Sequence, residues 1–310
     1  MQTADTYRHE NWTTEKEAHA HNSGLAKGGL TCFVETLVLI QTLFLRMNFS
    51  AENPALRQAA NRYLQCIQKL RIILKPQMIE IDINFDFRQD SLCGDPDSDS
   101  PKLYEIHKYL WSKNLPNEKA FKLETLSLGG KYGRILLKNN IYDNLSSDRM
   151  CPHFVGKYKG RFDDWLTEQQ KEEFKHIVRT IGGHIVFPAH KKNGFTINQA
   201  RGVNRKISDR FDLTLECIRL FYLNEQSPLY NAISRYEDFF KLFENFENYI
   251  NFFLLQDFVT ENYEVKFCIP FDNFERSPLP QNIEEYESYK EETINNIIKR
   301  NKRIKNMHSR

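Results

Sequence analysis

Between Ile233 and Val259 the chain reads ISRYEDFFKLFENFENYINFFLLQDFV, and no other stretch limits the fold so tightly. Tyr236, Phe239, Phe240, Phe243, Phe246, Tyr249, Phe252, Phe253 and Phe258 fall at spacings that gather them on one side of a 3.6-residue turn. That much aromatic surface needs a core, and it predicts two long helices running from Ser227-Pro228 through Thr260. The Glu and Asp residues between the rings, with few Arg or Lys, make the stripe a poor platform for stacking bases. The C-terminal half is therefore expected to be largely helical.

Upstream the period changes. From Met78, MIEIDINFDF alternates Ile79, Ile81, Ile83 and Phe85 with acids or Asn, the two-residue period of a half-buried strand. Tyr132 to Leu137, YGRILL, predicts another strand. Tyr142 to Asp148, YDNLSSD, is a strand end or loop whose Ser146 and Ser147 either present two hydroxyls or cap the next segment. HIVFPAH is a short buried strand, released by Gly182-Gly183, closed by Pro188 and flanked by His184 and His190. Between these lie two helices, Lys102 to Ser112 with Leu103, Ile106 and Leu110 inward, and WLTEQQKEEFKHIVR with Trp165, Phe174 and Ile177 inward. RQDSLCGDPDSDSP, from Arg88 to Pro101, reads as a solvated, turn-rich loop that lacks the Gly and terminal Glu of a calcium loop. VKFCIPFDNF reads as a further strand and turn. The sum is an α+β fold, a small mixed sheet with a largely helical C-terminal half.

Before Met78 the organisation differs. The first twenty-four residues are polar, without a basic n-region or apolar h-region, so a disordered start and no secretory signal are expected. Leu30 to Met47 is the most apolar run, yet Glu35, Gln41 and Arg46 argue for a buried helix over a membrane span. Asn53-Pro54 opens a second helix with Leu56, Tyr63, Ile67, Leu70 and Leu74 on its apolar face. An N-terminal helical hairpin results, giving two domains, residues 1–77 and 78–310. The hairpin is expected to bind a partner or regulate the rest.

The 310 residues carry a formal net charge of only +2, so nucleic-acid binding would need a local patch. Such a patch exists in IIKRNKRIKNMHSR, the end of an amphipathic helix from Ile283. It is either a solvated helix end favoured by the helix dipole or an RNA contact. The six cysteines are scattered, with no CxxC and no zinc-finger spacing, as expected of reduced thiols in the cytoplasm with no bound metal. No Walker loop, GxGxxG, HExxH, GxSxG or deaminase motif is present, which disfavours the common ATPases, dehydrogenases, zinc proteases and hydrolases.

What chemistry there is collects in Thr196 to Tyr222, TINQARGVNRKISDRFDLTLECIRLFY. Phe211, Leu215, Ile218 and Tyr222 form a helical stripe, with Ser208 as the expected N-cap and Asp209 and Asp212 in the first turn. Asp209, Asp212, Glu216 and Arg219 line the edge of that stripe. Either they form a half-buried salt-bridge ladder that also draws on Arg205 and Arg210, or Glu216 is a catalytic carboxylate with Arg201 nearby to hold an anion.

From Met78 onward the motifs GDPDSDSPKL, LWSKNLP, LSSD, GGHIVFP, TINQARG and DRFDLTLECIR resemble those of an uncharacterised family of bacterial proteins. The likeness covers roughly residues 78–304 and implies no established activity. A weaker resemblance is to ADP-ribosyltransferases, including toxins of anti-phage and toxin–antitoxin systems, which place an Arg or His, then hydroxyls, then a late Glu in this order. Arg134, the pair Ser146 and Ser147, and Glu216 follow that order, although Arg134 and Ser146 are closer together than usual and Glu216 looks helical.

That resemblance implies NAD as co-substrate and RNA or a protein as acceptor. Glu216 would hold the ribose 2′-hydroxyl and stabilise the oxocarbenium-like transition state. Arg201 and Asp212 would complete the catalytic set. Arg134 or Arg201 would clamp the pyrophosphate, Ser146 and Ser147 would orient the ribose, and Asn198, Gln199 and Arg210 would line the cofactor side of a pocket made by this loop and helix. Two other readings stand beside it. One is a non-catalytic interaction protein of a defence or toxin–antitoxin system, with an antitoxin or regulatory protein on the N-terminal hairpin and RNA on the basic helix. The other is a metal-independent ribonuclease using His107, Lys113 or Arg201.

Overall fold

The computed structural model describes residues 80–128, 132–139, 141–151, 165–190 and 193–308, all within one compact unit, Ile79–Arg310. The hairpin expected in residues 1–77 lies outside the described residues.

After a 3-10 turn at Phe87–Gln89 come α1 (Pro96–Asp99), α2 (Pro101–Trp111) and two short paired strands, β1 (Lys113–Asn114) and β2 (Ala120–Phe121). β3 (Leu123–Leu128), β4 (Tyr132–Asn139) and β5 (Ile141–Arg149) follow, and α3 (Glu168–Ile177) leads into β6 (His184–Pro188). The rest is helical: α4 (Ile197–Val203), α5 (Phe211–Tyr222), α6 (Tyr230–Ser234), α7 (Glu237–Phe240), α8 (Phe246–Phe252) and the long α9 (Ile283–His308). The fold is α+β, as the alternation of periods implies.

The main sheet has the order β3-β4-β5-β6, and every pairing in it is antiparallel. Ser147 pairs with Val186 and Arg149 with His184, while Asp148 pairs with Ile185 and Ser146 with Phe187. Paired residues share a face and neighbours along a strand do not. Ser147, Arg149, His184 and Val186 therefore face one way, and Ser146, Asp148, Ile185 and Phe187 the other. α1 and α2 pack on the first face, and α4 on the second. β6 is covered on both, so all five of its residues are buried.

The aromatic run fills the core as expected, but in pieces. Phe121 meets Phe252 at 5.0 Å and Phe239 at 6.3 Å between ring centroids, and Trp111 meets Phe253 at 5.3 Å. Two long helices do not form. Glu244 and Leu254 take positive φ of 69° and 56°, which ends each helical piece, and the Asn245 side chain caps a new one by accepting from Asn248 N at 2.8 Å. The turn at Glu244 lets Phe239 and Phe243 on one side of it and Phe252 and Phe253 on the other meet on Phe121, where a straight helix would present one face.

Three further expectations give way. The strand beginning at Met78 is, over its described part, a turn and a 3-10 helix. Asp82 Oδ1 accepts from Asn84 N and Asp86 Oδ1 from Arg88 N, both at 2.9 Å, so the alternating acids bend the backbone. The acidic loop is not simply solvated. Asp99 takes bonds from Ser91 Oγ and Cys93 N, and Asp90 from Ser100 Oγ and Lys102 N, tying the loop to the start of α2. VKFCIPFDNF supplies only an isolated bridge, Val259 with Val265.

α9 locks the turn that leads into β6. Gly182 N donates to Asn301 Oδ1 at 2.7 Å, and a Cβ at Gly182 would lie 2.6 Å from the Ile297 carbonyl oxygen. Arg300, from the basic end of the chain, is fully buried and donates to the carbonyls of Phe253, Gly182 and His184.

Candidate functional site

Thr196 opens α4 with a reciprocal cap. Its Oγ1 accepts from Gln199 N at 3.2 Å while Gln199 Oε1 accepts from Thr196 N at 3.1 Å. Gln199 therefore serves the helix start, and Asn198 beside it is exposed. After α4 the chain turns a corner in which Ser208 and Asp209 have φ of 47° and 62°. Consecutive left-handed, non-glycine residues are costly, at about 1–3 kcal/mol each. The corner also moves the helix start: Arg210, not Ser208, is the N-cap of α5, and Asp209 lies before its first turn.

Arg201 holds that corner. Its Nη2 donates to Asp209 O at 2.8 Å and Met150 O at 2.6 Å, its Nε to Thr214 Oγ1 at 2.9 Å and its Nη1 to Arg149 O at 3.4 Å. The side chain is fully buried. It ties the end of β5 to α5, and most of its donors are spent on this chain.

Along α5 the charges pair off. Arg210 binds Asp212 through both Nε and Nη2 and also donates to Pro278 O, while Asp212 Oδ2 accepts from Cys268 N at 3.0 Å. Burial works against the Arg210 charge, but Asp212 outweighs it and raises the guanidinium pKa. Glu216, 5% exposed, is held at both oxygens by Arg219 Nε and Nη2, each at 2.8 Å. The charges of α5 thus form two separate ion pairs, Arg210 with Asp212 and Arg219 with Glu216.

Ser146 and Ser147 part company because they are neighbours on a strand. Ser146 Oγ donates to Asp148 Oδ2 at 2.9 Å on the α4 side. Asp148 is 1% exposed, and burial followed by the nearby charge of Asp97 pushes its pKa up to about 8. The shift favours its neutral form near neutral pH. Arg134 lies on β4, one residue beyond the Ile135–Leu145 pair and so adjacent to Ser146 across the strands.

Ser147 faces α1 and α2, in a continuous buried polar chain. Trp111 Nε1 donates to His107 Nδ1 at 3.0 Å, which leaves the proton of the neutral ring on Nε2. Nε2 then donates to Ser147 Oγ at 3.0 Å, and Ser147 donates to Asp97 Oδ1 at 3.0 Å. His184 Nδ1 bonds the same oxygen at 2.8 Å, and Arg149 N donates to Asp97 Oδ2 at 3.1 Å. Burial opposes the Asp97 charge, but His184, Arg179 and Arg149 more than compensate and hold its pKa down to about 2. Burial drives His107 the other way, well below the ordinary histidine value.

The grouping resembles a Ser-His-Asp triad, yet the bonds run in the wrong direction for one. A base must offer a lone pair to the serine O–H, and the Nε2 of His107 offers a proton. Lys113, the other ribonuclease candidate, donates to Phe252 O at 2.6 Å and packs over the Trp111 and Phe252 rings, and burial lowers its pKa to about 8.

The sequence does not single out Asp148, and it offers Asp97 and His184 only as metal ligands, a reading set aside for both. Asp97 was hidden in an acidic run that read as solvated, and Asp148 read as the polar end of a strand. All three sit in the motifs GDPDSDSP, LSSD and GGHIVFP, and these motifs meet at β5 and β6. A family model matches residues 81–304, which contain them all. The chain belongs to DUF6994, a family of unknown function. No curated protein and no solved structure matches the chain. Among the described residues of this DUF6994 domain, no group of three or more His, Cys, Asp or Glu side chains is placed to hold a metal. No described helix is long and apolar enough to cross a membrane.

Proposed function

We propose that this domain acts as a non-catalytic binding protein, with its charged central helix serving structure. The saturation of the candidate catalytic side chains carries this reading. ADP-ribosyl transfer would require Glu216 to give an oxygen to a ribose hydroxyl and Arg201 to offer a guanidinium edge to a pyrophosphate. Both oxygens of Glu216 are engaged by Arg219, and Arg201 is committed to three carbonyls and Thr214. Asp212 and Arg210 neutralise one another out of solvent. In a defence or toxin–antitoxin setting, such a protein would act through what it holds.

The test is incubation of the full chain with labelled NAD, alone and with cellular RNA or protein, for wild type and Glu216→Gln. Absence of nicotinamide release and of label transfer in both supports the binding reading. Turnover by wild type that Glu216→Gln abolishes overturns it and restores the transferase.

One observation favours a second, enzymatic reading. Asp148 is a neutral acid beside the half-buried hydroxyl of Ser146, the kind of group that donates a proton near neutral pH. If NAD or RNA is turned over by wild type and Glu216→Gln alike but not by Asp148→Asn, the acid is the catalytic group.

A further inference from the structure

α9 carries its charge in a pattern. Lys299, Lys302, Arg303 and Asn306 stand at i, i+3, i+4 and i+7, one stripe of a helix. With Met307 and Asp257 they line an open groove of about 620 Å³. Three cations face one carboxylate. Asp257 grips Arg303 through Nε at 3.1 Å and Nη2 at 3.0 Å, which fixes that guanidinium on the wall of the groove. Lys299 and Lys302 are exposed, and neither has an ion-pair partner among the described residues.

Lys305 is exposed off this stripe, so the cations of the groove are Lys299, Lys302 and Arg303. Here the inward position of the same segment is taken by the buried Arg300, and the groove stripe is separate from it. We propose that this groove binds single-stranded RNA along its phosphodiester backbone. This rests on the reading of the domain as a binding protein and names its partner. The stripe from Lys299 to Asn306 runs about 10 Å at 1.5 Å per residue, enough to meet two successive phosphates of an extended strand. A recessed row of cations suits a strand better than a flat lipid surface. No aromatic ring lines it, so contact is to the backbone and independent of sequence. The exposed Asn306 amide adds a donor and an acceptor, the pair a ribose 2′-hydroxyl can use, which favours RNA over DNA.

The experiment is fluorescence anisotropy of the full chain with a labelled oligoadenylate across a salt series. The oligodeoxyadenylate and phosphatidylserine-containing vesicles serve as parallel arms. Wild type should bind the RNA with a log K against log salt slope of roughly −1.4 for two neutralised phosphates. Lys299→Glu with Lys302→Glu should weaken binding at least about tenfold and flatten the slope. The milder Lys299→Gln with Lys302→Gln should fall between, with an unchanged melting temperature in both because these side chains are exposed. Unchanged affinity in both double variants overturns the groove assignment. Equal affinity for the DNA overturns the choice of RNA, and preference for vesicles overturns a nucleic-acid partner. Cleavage of the oligomer by wild type would overturn the binding-protein reading while leaving the groove in place.

Discussion

Trp111 donates its indole N–H to Nδ1 of His107 at 3.0 Å, and this bond sets the direction of the polar chain beneath it. With Nδ1 occupied as an acceptor, His107 presents a proton to Ser147, Ser147 passes its own to Asp97, and the negative charge rests where His184 and the Arg149 amide meet it. One indole thus makes a potential base into a donor.

Trp111→Phe removes that donor and leaves a buried acceptor without its bond beside a smaller ring. A loss of roughly 2–4 kcal/mol is expected, from the unmet hydrogen bond and the cavity together. Urea unfolding measures the loss. The ¹⁵N shifts of the His107 ring should show its tautomer mixture change, and an unchanged tautomer would refute the assignment of bond direction.

Arg201→Lys retains the charge but loses the planar fork that reaches Asp209 O, Met150 O and Thr214 at once. The strained corner at Ser208-Asp209 would lose its clamp, with an expected cost on the order of 3 kcal/mol. A midpoint within error of wild type would mean that the corner is held by something else.

Gly182→Ala forces a methyl against the Ile297 carbonyl and the Asn301 side chain, at 2.6 and 2.7 Å from the new Cβ. α9 must shift, at about 1–3 kcal/mol for overpacking. Melting temperature should fall, and hydrogen exchange should rise first at the contact between α9 and the turn before β6.

Asp148 and Asp97 tilt the pH dependence in opposite senses. Asp148 has a folded pKa near 8, above that of the unfolded chain, so it stays protonated on folding while the unfolded chain releases the proton. Its effect is a stability that declines from about pH 4 to about pH 8. Asp97, held down to about 2, contributes stability above pH 4 that is lost as pH falls toward 2. Asp148→Asn keeps an acceptor for Ser146 and should flatten the decline, leaving the variant more stable than wild type by a few kcal/mol at neutral pH, an order-of-magnitude expectation from the shift. Denaturant midpoints across pH would check it, and parallel curves for the two proteins would refute a buried neutral acid.

Much of the scaffold is legible in the amino-acid sequence. α2 and α3 lie where their helical periods place them, β4 and β6 lie where strands were expected, and the segment read as a strand end or loop is the strand β5. The two-long-helix expectation for the aromatic run failed because ring spacing reports that residues are buried but not where the chain turns between them. Glu244 and Leu254 adopt positive φ without any glycine to announce it. The candidate site was legible only in outline. The Glu216–Arg219 pair follows from i,i+3 spacing along one helix, whereas the Arg210–Asp212 pair depends on Arg210 lying before the helix as its N-cap, and Ser146 and Ser147 were grouped by adjacency that a strand undoes.

What the amino-acid sequence determined by itself is the α+β class, the helices α2, α3 and α9, and the basic end of the chain, since each depends on a period or a charge run within a single segment. Only the tertiary structure decided the partner of each buried charge. Asp97, Ser147, His107 and His184 lie up to 87 positions apart along the chain, and the bonds among them exist only once α1, α2, β5 and β6 exclude water around them.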